Sequence, residues 1–246
     1  MSDASGVRAG QRLPDEPVFC LAESELFRDL SGEEMASIAA RGGMQAVDAG
    51  TVVWSPAAPQ PVLFIVKAGR VSLYRLAAGG RRLTLAILGP GGVFGQMPLV
   101  GQRMGQGYAE TLEPSVLCLM SEQDVRAMLL TDPRIAGRIT EGLGRRLAEV
   151  EQRLADTVLK SAPQRVAAVL LRLSSAPAAP GLLRARPAEV RLTHEQLAEL
   201  VGTTRETTSK VLGDLKDAGA VRLRRGGVVV LDRSRLQAAA DDLPRG

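Results

Sequence analysis

The spacing of apolar positions changes character along the 246-residue chain, and each change marks a different kind of structure. Between Gln45 and Met120, short apolar runs are cut by glycine or proline: Thr51-Val-Val-Trp54, Val62-Leu-Phe-Ile-Val66, Val71-Ser-Leu-Tyr-Arg-Leu76, Leu83-Thr-Leu-Ala-Ile-Leu88 and Val116-Leu-Cys-Leu119. Short strands at such regular spacing predict a barrel or jelly roll. Ala77-Ala-Gly-Gly80 lies between two alternating runs and predicts a hairpin turn, because glycine accepts the positive φ that such turns require. After Thr131-Asp-Pro133 the pattern becomes helical and continues to about Leu159. Within it, Leu143, Leu147, Val150, Leu154 and Thr157 recur at steps of four, three, four and three, the a/d stripe of a coiled-coil seam. Arg145, Arg146, Glu149, Glu151 and Arg153 flank that stripe as exposed charges would. The stripe reads either as a dimer seam or as a face lying on the chain's own barrel.

Outside these stretches the pattern sets the organisation. Residues 1–22 mix Gly, Pro, Ser and charges without periodicity and predict a flexible arm. Ser31-Gly-Glu-Glu34 has the Ser-x-x-Glu spacing of a capping box and predicts a short helix. Pro163 restarts the chain into a helix over Val166-Ala-Ala-Val-Leu-Leu-Arg-Leu173, and Ser174-Ser-Ala-Pro-Ala-Ala-Pro-Gly181 is a loop by composition. The expected domains are a barrel over 23–132, a dimerisation helix over 133–160 and a final domain over 161–246. The fold class is α+β.

The final domain carries the most informative stretch, Leu192-Thr-His-Glu-Gln-Leu-Ala-Glu-Leu-Val-Gly-Thr-Thr-Arg-Glu-Thr-Thr-Ser-Lys-Val-Leu212. Thr193 with Gln196, and Thr203 with Glu206, have capping-box spacing and signal two helices in succession. Ala198 is small where the helices must cross, and Gly202 can supply a left-handed turn. Leu197, Leu200, Val201, Val211, Leu212 and Leu215 form the candidate buried face. This is the layout of a helix-turn-helix, whose second helix lies in the major groove of DNA. Its free faces present Thr204, Arg205, Glu206, Ser209 and Lys210. An arginine can pair bidentately with guanine and a glutamate can accept from cytosine N4, so G·C pairs are the expected targets. An exposed, capped helix start is the alternative reading of Arg205 and Glu206. Val221-Arg-Leu-Arg-Arg-Gly-Gly-Val-Val-Val-Leu231 predicts a two-stranded wing around Gly226-Gly227, with Arg222, Arg224 and Arg225 placed for backbone phosphate. A solvated basic turn would look the same.

Charge sharpens this picture. From Ser161 onward there are 14 Lys+Arg and 9 Asp+Glu, giving +5, against 17 and 18 in the first 160 residues. The surplus favours a polyanionic partner for the final domain. Cys20 and Cys118 are the only cysteines and His194 the only histidine, which excludes a disulfide framework, a Cys-x-x-Cys knuckle and multi-histidine metal sites within one chain. A jelly-roll enzyme built on a histidine-rich metal site is excluded on the same ground. No signal peptide and no run of eighteen apolar residues occurs, so a cytoplasmic protein without a membrane partner is expected. A ligand-binding module whose winged domain contacts protein is the competing functional class.

On these residues the chain resembles the cAMP receptor protein / fumarate and nitrate reduction regulator (Crp-Fnr) family of bacterial transcription factors. The resemblance spans about residues 23–235 and is strongest at Val201-Gly-Thr-Thr-Arg-Glu-Thr-Thr-Ser-Lys-Val-Leu212. It implies a cyclic-nucleotide-binding-like barrel, a dimerisation helix and a winged helix-turn-helix that binds pseudo-palindromic duplex DNA as a homodimer, with RNA polymerase as a further partner. It puts Arg205, Glu206 and Lys210 at base-reading places, and Thr193, His194 and Thr204 where phosphate is contacted. It also places Gly91-Gly-Val-Phe-Gly-Gln-Met-Pro-Leu99 on the family's phosphate-binding cassette, implying an effector pocket of Gly95, Gln96, Met97, Gln106 and Gly107 with Val150 and Glu151 of the long helix. Here the chain departs from the family. Gln96 replaces the carboxylate for a ribose hydroxyl, Gln106 replaces the guanidinium for the cyclic phosphate, and Glu151 stands where a hydroxyl meets the base. Burying a phosphate without its counter-charge is costly, so these residues argue against cAMP. With Cys20 alone near the N-terminus, an iron–sulfur sensor is not expected, and a barrel without histidine disfavours haem.

Overall fold

The computed structural model describes residues 43–131, 133–174 and 189–241. The expected arm over 1–22 and the helix expected from Ser31 lie outside them, as does most of the loop that begins at Ser174. Two compact units result: one runs to Gly79 and from Leu85 to Gly144, and the other takes Gly80–Thr84 and everything from Arg145 onward.

The first unit is built on eight strands: β1 (Gly43–Val47), β2 (Val52–Trp54), β3 (Val62–Ala68), β4 (Val71–Leu76), β5 (Arg82–Leu88), β6 (Val93–Gly95), β7 (Tyr108–Thr111) and β8 (Ser115–Ser121). They form two four-stranded sheets, β1-β8-β3-β6 and β2-β7-β4-β5, the double-sheet jelly roll. All five apolar runs became strands, and β4 pairs with β5 across the turn at Ala77–Gly80, as the glycines predict. Strands β1, β6 and β7 are short or alternate weakly, and no apolar run announces them.

Between the sheets, Phe64, Val66, Phe94 and Leu117 of the first meet Trp54, Val71, Leu73 and Ala109 of the second. Phe64 and Phe94, paired across β3 and β6, stack with centroids 4.8 Å apart. The alternate residues Leu63, Ile65, Cys118 and Met120 point to the opposite face, where Met97 and Val125 join them. Val125 belongs to helix α1 (Glu122–Thr131), which therefore covers the outside of that sheet. A sheet covered on both faces needs apolar residues at every position, which explains why β3 reads as a continuous run.

The long helix α2 (Pro133–Leu159) has the expected bounds. In the second unit, α3 (Ala162–Ser174), α4 (His194–Val201) and α5 (Arg205–Asp217) enclose Val166, Ala167, Leu170, Leu197, Ala198, Val211, Leu212 and Leu215, all buried. A three-stranded sheet closes the unit: the two-residue β9 (Glu189–Val190) pairs with β11 (Gly227–Val230), which also pairs with β10 (Val221–Arg224). Helix α6 (Arg233–Asp241) adds the fully buried Leu236. Neither β9 nor α6 was legible as a pattern.

Thr208, at the end of the first turn of α5, is completely buried, and its hydroxyl has no partner among the described residues. A buried hydroxyl without a partner costs about 1–3 kcal/mol, and valine has nearly the same shape without it. Thr208→Val should therefore raise the unfolding free energy by about 1 kcal/mol, read as a higher denaturant midpoint with unchanged slope. A lower midpoint would mean that the hydroxyl is satisfied.

Candidate nucleic-acid interface

The interface begins at the turn between α4 and α5. Thr193 caps α4: its hydroxyl accepts from the Gln196 N–H at 3.2 Å, while the Gln196 side chain accepts from the Thr193 N–H at 2.9 Å. Both halves of that capping box are present, as its spacing predicts. Gly202 closes the helix in the left-handed region at φ 75°, its N–H donating to Ala198 O. Arg165 on α3 secures this end from beside, donating to the Val201 carbonyl at 3.2 Å and to the Lys160 carbonyl at 2.8 Å.

The second cap differs from expectation. Thr204, not Thr203, is the N-cap of α5, and its hydroxyl accepts from the Thr207 N–H at 3.2 Å. Gly202 and Thr203 are spent on the turn, which moves the helix start by one residue. Glu206 is left in the first turn of α5, fully exposed. Its own backbone amide first, and then the Thr204 hydroxyl, hold its carboxyl below the ordinary glutamate range. It is therefore an acceptor throughout the neutral range.

Arg205, Glu206 and Lys210 are exposed together on the first turns of α5, Glu206 and Lys210 opposite the buried Thr208, Val211, Leu212 and Leu215 and Arg205 at the edge of that face. Ser209, expected beside them as a base reader, is half-buried, and its hydroxyl lies 2.9 Å from Nδ1 of His194. The crossing of the two helices brings these residues together, and their separation of fifteen positions hides the pair from any local pattern.

The wing turn also shifts by one residue: Arg225 and Gly226 form it, with Gly226 at φ 75° and Gly227 already in β11 opposite Arg224. Arg222, Arg224 and Arg225 are exposed on this ribbon, while Val221 and Val228 are buried. Within β10, Arg222 and Arg224 share one face and Val221 and Leu223 the other, as strand alternation requires, while β11 is buried along its length.

On α2, Leu147, Val150 and Leu154 are exposed at 60%, 53% and 66%, with Leu143 half-buried. Arg145, Glu149 and Glu151 are exposed as expected, but Arg146 and Arg153 are half-buried. Burial foremost, then repulsion from Arg172 on α3, brings the Arg153 guanidinium down to about 10. The arginine side of this helix is thus turned inward, and the apolar stripe is what remains uncovered.

In the cassette, Gly95 has φ 122°, and a Cβ there would collide with the Val62 carbonyl. Gln96 is engaged by its own loop: its side-chain oxygen accepts from the Met104 N–H at 3.1 Å. The Gly107 N–H donates to the Met104 carbonyl at 2.8 Å, and the Met104 side chain packs against the inter-sheet core. Met97 departs from the expected lining role. It is fully buried in the cluster under α1 because the backbone pairing with Gln102 turns it to the outer face of its sheet. Gln106 is exposed, and Gly107 is crowded by Met104. Val150 and Glu151 are exposed on the part of α2 that belongs to the second unit. Gln96 Oε1 and the Gly107 N–H are thus both engaged within the loop.

Comparison with known proteins agrees with this architecture. A cyclic nucleotide-binding domain model matches residues 44–132, and a Crp-like helix-turn-helix domain model matches residues 164–239. The cyclic AMP receptor protein of Thermus thermophilus is 35% identical over 178 residues, 72% of this chain and 79% of that one. A CRP-like cAMP-activated global transcriptional regulator of Mycobacterium tuberculosis is 30% identical over 224 residues, 89% of this chain and 98% of that one. Among solved structures, a CRP/FNR-family transcriptional regulator from Thermus thermophilus superposes with a TM-score of 0.66 at 29% identity, covering 83% of this chain and all of that one. A jelly roll that carries the cyclic-nucleotide-binding pattern, followed by a winged helix-turn-helix with an exposed basic helix start, is thus joined to relatives matched over most of their length, and the chain belongs to the CRP/FNR family of transcriptional regulators.

Proposed function

We propose that this regulator reads G·C-containing, pseudo-palindromic duplex DNA as a homodimer through Arg205, Glu206 and Lys210. The observation that carries this reading is their joint exposure on the first two turns of α5. Arg205 pairs with guanine O6 and N7, Glu206 accepts from cytosine N4, and Lys210 reaches a further base edge or phosphate. Thr193, His194 and Thr204 at the helix starts, with Arg224 and Arg225 on the wing, hold backbone phosphates and set the register. Leu143, Leu147, Val150 and Leu154 form the seam with a second copy. That pairing presents two recognition helices to major grooves about 34 Å apart. The domain limits follow as a barrel to residue 132, a dimerisation helix over 133–160 and a DNA-binding domain from 161. The protein works in the cytoplasm beside RNA polymerase and performs no catalysis.

The barrel answers to something other than cAMP. Gln96 and Gln106 supply neither the carboxylate nor the guanidinium, and Gln96 is engaged with Met104. Any effector acts by binding two arrangements of the dimer with different affinity.

Arg205→Ala should lower affinity for a selected cognate duplex roughly ten- to hundredfold and flatten preference at one G·C position, measured by competition anisotropy. Equal loss on random duplex would remove base reading by Arg205. Leu154→Glu should convert the dimer to monomer in sedimentation, because a charge at an a/d position of a seam leaves it unpaired in an apolar contact. An unchanged dimer would place the seam elsewhere. Calorimetric titration with cAMP or cGMP should show no saturable heat at millimolar nucleotide, and saturation at micromolar concentration would overturn the reading of the cassette.

A further inference from the structure

His194 is the sole histidine of the chain, and among the described residues its ring makes one hydrogen bond, from Nδ1 to Ser209 Oγ at 2.9 Å. It is the first residue of α4, and Ser209 lies in the second turn of α5, so the bond ties the entry of one helix to the recognition helix. A neutral imidazole has one donor and one acceptor nitrogen, and the partner of one fixes the role of the other. If Nδ1 donated to Ser209, Nε2 would present a lone pair outward, which a phosphate oxygen repels. If Ser209 donates to Nδ1, Nε2 presents N–H, the polarity a polyanion requires.

We infer that Ser209 is a positioning residue: its hydroxyl donates to His194 Nδ1 and holds the ring with Nε2–H outward as a donor to a backbone phosphate. Ser209 then acts on DNA through the histidine and contributes no base readout of its own. Its hydroxyl is committed within the protein, and its half-buried place between the two helices withdraws it from the exposed set of Arg205, Glu206 and Lys210. This inference rests on the reading that the α4 entry faces the DNA backbone, and the test separates the two.

The single histidine makes the tautomer directly readable. Nitrogen-15 spectra of the full chain without DNA, at alkaline pH, should show an unprotonated Nδ1 and a protonated Nε2. Ser209→Ala should shift the ring toward the other tautomer or a mixture, and Ser209→Thr should restore it. A protonated Nδ1 in the parent, or a tautomer indifferent to Ser209→Ala, would overturn the inference whatever the protein does with DNA. On DNA, Ser209→Ala should weaken cognate and scrambled duplexes alike by about tenfold and leave the salt slope unchanged, because a neutral imidazole neutralises no phosphate charge. In a His194→Gln background, whose amide donates without help from Ser209, the same change should have no effect. Altered preference at one base pair would return Ser209 to the base-reading set. The expected tautomer without any change on DNA would instead show that the α4 entry does not face the backbone.

Discussion

The packing of α4 against α5 is the constraint on which the DNA-facing half of the protein depends. Leu197, Leu200 and Val201 on one helix and Val211, Leu212 and Leu215 on the other are buried together, and Ala198 keeps side-chain volume out of the contact. Burying such side chains contributes roughly 1.5–3 kcal/mol each, far more than any single polar contact at the surface. That apolar seam fixes the rotation of α5 about its own axis. Rotation in turn decides that Arg205, Glu206 and Lys210 stand free while Thr208 is enclosed and Ser209 is turned toward His194. Gly202 makes the crossing reachable within a short turn by taking a backbone conformation that a side chain would resist.

The same logic, with a different outcome, governs the jelly roll. The loop that joins β6 to β7 leans on the inter-sheet core of aromatic and branched side chains, because the partly buried Met104 side chain packs against that core and Gln96 accepts from the Met104 amide. A loop that elsewhere in the family binds a charged effector is here tied to the hydrophobic interior of its own sheet sandwich.

The long helix has two faces of different chemistry. One side of its C-terminal half turns Arg146 and Arg153 inward, where Arg153 is desolvated beside Arg172 of α3. The stripe of Leu147, Val150 and Leu154 is left uncovered by the described residues, which is why we propose it as the seam of the homodimer that is typical of this family.

What the residue pattern determined on its own is everything local. Five strands, the bounds of the long helix and the capping box at Thr193 were legible because each depends on a period or spacing repeated along a contiguous stretch of chain. Arg205, Glu206 and Lys210 were legible as a free helix face for the same reason. What escaped the pattern depends on neighbours distant in sequence: the short strand β9, helix α6, the one-residue shifts at Thr204 and Arg225, the outer-face burial of Met97, the packing of Met104 against the inter-sheet core and the engagement of Ser209 by His194. Strand pairing and helix crossing created those contacts, and a polar side chain shows no local sign of whether its partner will be water, nucleic acid or another part of its own fold.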